Sequence, residues 1–88
     1  MERKKVYELI SKERNYQDSL TTTVFRHDKV DQSVPAELAM MKVYLDRAFQ
    51  GFANHYGDQW ALDEIRKVVA LGVRCMETNG CPRRGQVK

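Results

Sequence analysis

Asp58-Gln59-Trp60-Ala61-Leu62-Asp63-Glu64-Ile65-Arg66-Lys67-Val68-Val69-Ala70-Leu71-Gly72-Val73-Arg74-Cys75-Met76-Glu77-Thr78-Asn79-Gly80 decides the fold class. Turned about 100° per residue, Ala61, Leu62, Ile65, Val68, Val69, Gly72, Val73, Cys75 and Met76 share one broad arc. Asp63, Arg66, Lys67, Arg74 and Glu77 share the other, where solvated charge is expected. Such a segment is a two-faced helix built to pack. Asp58 offers an N-cap acceptor, and Asp63 and Glu64 lie early, where the helix dipole favours negative charge. Gly80 followed by Pro82 marks the stop.

The same periodicity, followed towards the N-terminus, predicts two more helices, one from about Glu2 to Asp18 and one from Val34 to about His55, before the third over 58–79. Ser33 caps the second helix, Pro35 sits in its first turn where a missing N–H is harmless, and Gly57 ends it. So short a link predicts an antiparallel hairpin of the second and third helices, with Trp60 as a packing anchor across it. Residues 20–33 are rich in β-branched side chains and poor in helix formers, which predicts a mobile connector. A basic tail, 81–88, follows. The chain is read as one all-α domain, 1–88, of three helices.

At 88 residues, a single copy buries a modest share of its unfolded surface. Cys75 and Cys81 match neither a C-x-x-C redox pair nor a zinc knuckle, so they read as a small buried thiol and an exposed one, as suits a reducing cytoplasm. No apolar run is long enough to span a bilayer and the N-terminus lacks a signal-peptide pattern, so a soluble, unprocessed, cytoplasmic protein is expected. The net charge of +3 is spread among interspersed acids and bases, with basic clusters only at the ends, which argues against nucleic-acid binding. The second helix carries two apolar stripes: Leu38, Met41, Leu45, Ala48, Phe49, Phe52 and Tyr56, and Ala36, Met40, Val43 and Tyr44. The first is expected to face the third helix. The other needs either the first helix or another copy of the chain, and the small size favours a homo-oligomer that completes its core as a helical bundle.

Val6, Leu9, Ile10, Tyr16 and Leu20 define the stripe of the first helix, and Glu13 and Gln17 project within it. An inward carboxylate must meet a cation, hydrogen-bond donors, a metal or a wet cleft. Two outcomes stay open, a structural tie such as Glu13 to Arg66, and a ligand site lined by Glu13, Arg14, Gln17, Arg66 and Lys67. Catalytic machinery is not apparent. His27 and His55 stand apart with no partner at ligand spacing. Ser11 precedes Lys12 directly, but helix neighbours one apart do not face each other, and the S-x-x-K position holds Arg14. No G-x-S-x-G turn, GxGxxG loop or P-loop is present.

Ile10-x-x-Glu13-Arg14-x-x-Gln17-Asp18, then Glu37 with Tyr44 and Ala48, then Glu64-Ile65-Arg66-Lys67-Val68 through Leu71 and Arg74-Cys75-Met76-Glu77 to Gly80-x-Pro82-Arg83-Arg84, resembles small proteins common in phages and prophages. Those proteins look like distant relatives of the MazG-like all-α nucleoside triphosphate pyrophosphohydrolases. In that family an E-x-x-E run and an E-x-x-D run hold Mg²⁺, which orients a triphosphate and activates water. Here Met40, Met41 and Lys67 stand where the resemblance calls for carboxylates, which predicts a catalytically silent protein without a cofactor.

Three functions are therefore expected in order. The first is a phage-type helical oligomer that binds or sequesters a nucleotide or nucleotide-derived host signal, a counter-defence role in the cytoplasm of an infected or lysogenic bacterium. Arginine and lysine would supply its phosphate contacts. The second is a protein-interaction module docking a host or phage partner. The third is a Mg²⁺-dependent pyrophosphohydrolase whose metal ligands would be Glu13, Glu37 and Glu64.

Overall fold

The computed structural model describes residues 1–21 and 32–87, so that residues 22–31 of the expected mobile connector, with His27, lie outside the described residues. Three helices make up the fold: α1 (Arg3–Thr21), α2 (Val34–Ala53) and α3 (Asp58–Asn79). Among the described residues there is no strand, and no helix is long and apolar enough to cross a membrane.

Helix α1 runs three residues beyond its expected end, because Ser19-Leu20-Thr21 contains no glycine or proline to stop it. Ser33 caps α2 as expected, its side chain accepting from the Ala36 N–H, and Pro35 sits in the first turn. The helix stops two residues short of His55. His55 takes a left-handed conformation, φ 61, its N–H donates to the Phe52 carbonyl at 3.0 Å, and the Tyr56 N–H donates to the Gly51 carbonyl at 2.8 Å. That pair of bonds is a Schellman closure, with a histidine where glycine is usual. Gly57, φ 88, then fills the N-cap position of α3. Asp58 is therefore the first helical residue and makes no side-chain cap bond, contrary to expectation; its charge still favours the dipole there. Gly80, φ 102, ends α3 with its N–H on the Met76 carbonyl.

Helix α3 is the spine of the molecule. α2 packs extensively along it and α1 packs on another side, while the α1 and α2 backbones do not approach each other. The fully apolar core is small, Ala48, Ala61, Ala70 and Leu71, and Arg14, Gln17, Glu37, Glu64 and Arg74 are buried with it. Trp60 packs on Gly51, where a Cβ would meet the indole ring, and its ring lies 5.5 Å from that of Tyr56, so it anchors α2 to α3.

The expected faces need three corrections. In α1, Val6, Tyr16 and Leu20 are exposed, and the side that packs carries Glu13, Arg14 and Gln17. In α3, Arg74 is buried, whereas Leu62, Ile65, Val69 and Met76 are exposed. In α2, Leu38, Leu45, Phe49 and Phe52 are exposed, as is Tyr56 just beyond the helix, although their stripe was expected to meet α3; of that stripe Ala48 is buried. Between α1 and α3, long side chains cross with their charges paired and occupy the contacts, whereas α2 meets α3 through Glu37 and the small Ala48 and Gly51, which leaves the large apolar side chains of its stripe outside. Cys75 is half-buried, Cys81 is exposed, and both are free thiols.

Candidate functional site

Because α1 and α2 both lean on α3 without meeting, a crevice of about 400 Å³ opens between them. Helix periodicity supplies each wall: Glu13, Tyr16, Gln17 and Leu20 from α1, Met40, Tyr44 and Arg47 from α2, and Lys67, Leu71 and Arg74 from α3. Its size is that of a small-molecule site.

Most charges around the crevice are already paired. Arg66 Nε donates to Glu13 Oε1 at 2.9 Å, and Arg66 Nη2 donates to Asp63 Oδ1 at 2.7 Å. The hydrogen bond it donates to Glu13 raises the Arg66 pKa despite its partial burial, and the bond from Arg66 holds Asp63 below the usual carboxylate range. Burial alone would lower the Lys67 ammonium, but Glu64 at 3.2 Å and Asp63 at 3.3 Å outweigh it and the net shift is upward. Arg74 grips Glu37 with two bonds, Nε to Oε2 at 2.8 Å and Nη2 to Oε1 at 2.6 Å, in a setting where Glu37 is 1% exposed. This is a fork-on-fork buried ion pair joining α2 to α3.

Of the five residues proposed from sequence for ligand binding, Glu13, Gln17 and Lys67 line the crevice. Glu13 also forms the anticipated tie to Arg66. Arg66 itself lies outside the crevice lining, and Arg14 belongs to a separate depression with Tyr7, Asp18 and Glu77. There Arg14 donates to both carboxylate oxygens of Glu77 at 2.9 Å and pairs with Asp18 at 2.9 Å. The Glu77 bond raises Arg14 and lowers Glu77.

Gln17 stands apart from these pairs. Its Nε2 faces the Lys67 carbonyl at 3.5 Å, and since a carbonyl only accepts, the amide nitrogen belongs there. Its Oε1 is then a buried acceptor with no donor among the described residues, on a side chain 7% exposed.

Glu13, Glu37 and Glu64 do not fit a Mg²⁺ site. Each is held by a protein cation, Arg66, Arg74 and Lys67 respectively, and Glu37 has both of its oxygens taken by Arg74. Nor do three or more His, Cys, Asp or Glu side chains gather around a common point among those residues. A hard cation needs several free oxygens converging on it.

Seven of the ten lining residues were not among those proposed from sequence, Tyr44, Arg47 and Arg74 among them. Arg47 Cζ lies 4.9 Å from the centre of the Tyr44 ring, and Lys67 Nζ lies 5.8 Å from it. Both are cation–π distances. Among the described residues Arg47 pairs with no carboxylate, so its charge is the uncompensated one in the crevice. The i, i+3 spacing of Tyr44 and Arg47 was the available signal. Comparisons with protein-family models, with curated proteins and with solved structures found no match.

Proposed function

We propose that this chain binds a phosphate-bearing, nucleotide-type molecule in the α1–α2 crevice and holds it without hydrolysing it. Arg47 carries this reading. It lines the crevice with no carboxylate partner among the described residues and its guanidinium is braced on the Tyr44 ring, which suits that planar fork of N–H donors to two oxygens of a phosphate group. Lys67 adds a second positive group, Tyr16 a further ring, and Gln17 an acceptor in want of a donor. The ion pairs that occupy Glu13, Glu37 and Glu64 support binding without metal-dependent catalysis. The likeness to phage proteins and, through them, to MazG-like enzymes supports sequestration of a nucleotide or a nucleotide-derived host signal. The protein acts as a homo-oligomer, a state favoured by the small apolar core of one copy.

Thermal shift against nucleoside mono-, di- and triphosphates, cyclic nucleotides and ADP-ribose derivatives, with and without Mg²⁺, tests the proposal. A ligand at about 100 times its Kd adds roughly 2.7 kcal/mol to stability. Arg47→Ala should abolish the shift and leave the ligand-free melting temperature unchanged. Silence across the panel, or an equal shift in the variant, refutes the site. Pyrophosphate release from triphosphates at about 1 per second, an ordinary enzyme rate, refutes the absence of hydrolysis.

A further inference from the structure

The largest unexplained feature of the surface is apolar and lies away from the crevice. On α2, Leu38, Leu45, Phe49 and Phe52 fall within an arc of about 60° at 100° per residue, and on α3, Leu62, Ile65, Val69 and Met76 fall within another of similar width. All eight are exposed in the single chain. The arcs are turned roughly 140° on α2 and 180° on α3 from the residues those helices give to the crevice. One crevice draws on both helices, so the two arcs share the opposite side of the α2–α3 pair.

We infer that a second copy of this chain covers this face, pairing the α2–α3 layer of one protomer with that of the other and leaving both crevices open on the outside. Three observations favour a copy over another occupant. The eight side chains together expose on the order of 800 Å², which is what each partner of a standard stable interface contributes. Within its two arcs the face carries aromatic and aliphatic side chains, and the one charge that projects there is the exposed Asp58 at the first helical position of α3, so the apolar body of the face can meet itself about a two-fold axis without burying like charges. The chain also needs the area, since three of the four residues of its own apolar core are alanines.

The location differs from the one expected from sequence, where Ala36, Met40, Val43 and Tyr44 were to form the contact. Met40 and Tyr44 belong to the crevice instead. If that stripe were buried between copies, the crevice would be covered; with the opposite face buried, each crevice stays accessible and the copies bind independently.

Two methionines make the test direct on the unaltered protein. Met76 lies on the proposed interface and Met40 in the crevice, and each is 43% exposed in the single chain. Under dilute hydrogen peroxide, Met76 should oxidise about tenfold more slowly than Met40, because oxidation follows exposure. Sedimentation velocity should show a dimer or a multiple of it at micromolar concentration. Phe49→Glu and Val69→Glu should shift it to monomer, whereas Val43→Glu, exposed but off the face, should leave it assembled. Equal oxidation of the two methionines, protection of Met40 rather than Met76, or a wild-type monomer would each overturn the inference. A wild-type monomer would point to a different protein as the occupant. None of these readings depends on nucleotide binding, so the interface and the crevice stand or fall separately.

Discussion

Removing one partner of the Glu37–Arg74 pair should be far more damaging than removing both. Arg74→Met strands a carboxylate that is almost wholly shielded from water, at a cost of about 3–5 kcal/mol. Glu37→Leu strands the guanidinium instead. Because Arg74 also lines the crevice, the freed group can swing partly towards water, which sets this variant near the lower figure. A chain of 88 residues has roughly 4–13 kcal/mol of total stability at typical values per residue. Either single change therefore removes a large fraction of it, and at about 4–8 °C per kcal/mol the melting temperature should fall by more than about 12 °C. The double variant Glu37→Leu with Arg74→Met carries no stranded charge and keeps most of the volume, so it should lie within about 1 kcal/mol of wild type or above it. Urea denaturation followed by circular dichroism at one protein concentration gives all four corners of the cycle. A double variant as unstable as the sum of the two singles would refute the pairing. So would single variants that each lose less than about 1 kcal/mol.

Gly51→Ala should destabilise the protein by about 1–3 kcal/mol although alanine is the better helix former, because its Cβ would meet the Trp60 ring. In a Trp60→Leu background the same substitution should be neutral or stabilising; an equal loss in both backgrounds, read from melting curves, would show that the ring is not the obstacle. Arg14 holds the folded-state pKa of Glu77 below its ordinary value, and Arg66 does the same to Asp63. Stability from these groups is complete above the ordinary carboxylate range, about 4, and is lost as the pH falls through the depressed values. Wild type should therefore lose melting temperature on acidification from pH 5 towards pH 3, by a modest amount because Glu77 is half exposed, and Glu77→Gln should flatten part of that slope. An unchanged slope in the variant would remove Glu77 from the account.

Helix number, the capping serine of α2 and the end of α3 were legible because each rests on local chemistry: a period, a side-chain acceptor, a glycine before a proline. Glu13 and Gln17 were legible too, since polar groups inside an apolar stripe are conspicuous against its regularity. Arg74 was not. On a projection of α3 alone it lies with the charges, and only the approach of Glu37 from α2 makes its burial favourable. Leu62, Ile65, Val69 and Met76 failed in the opposite sense, because hydrophobic periodicity says that a face will be covered but not by which surface. Arg47 was passed over for a related reason: what distinguishes it is a carboxylate that is missing nearby, and spacing along one helix does not report on absent neighbours.

The central position of α3 has a consequence for how the molecule opens. α2 reaches α3 through a four-residue link and packs along it, whereas α1 is attached to α3 through the Glu13–Arg66 and Arg14–Glu77 bridges and the Gln17 amide, with no backbone approach to α2. Detaching α1 thus breaks mainly exchangeable polar contacts and leaves the α2–α3 pair whole. Amide hydrogens of α1 should exchange through a sub-global opening of lower free energy than those of α2 and α3, which would exchange only with the whole. Added salt should speed the first process and scarcely alter the second, since charge pairs at a part-exposed boundary are screened while packed aromatic and alanine contacts are not. One wall of the crevice would then loosen from α3 more readily as ionic strength rises.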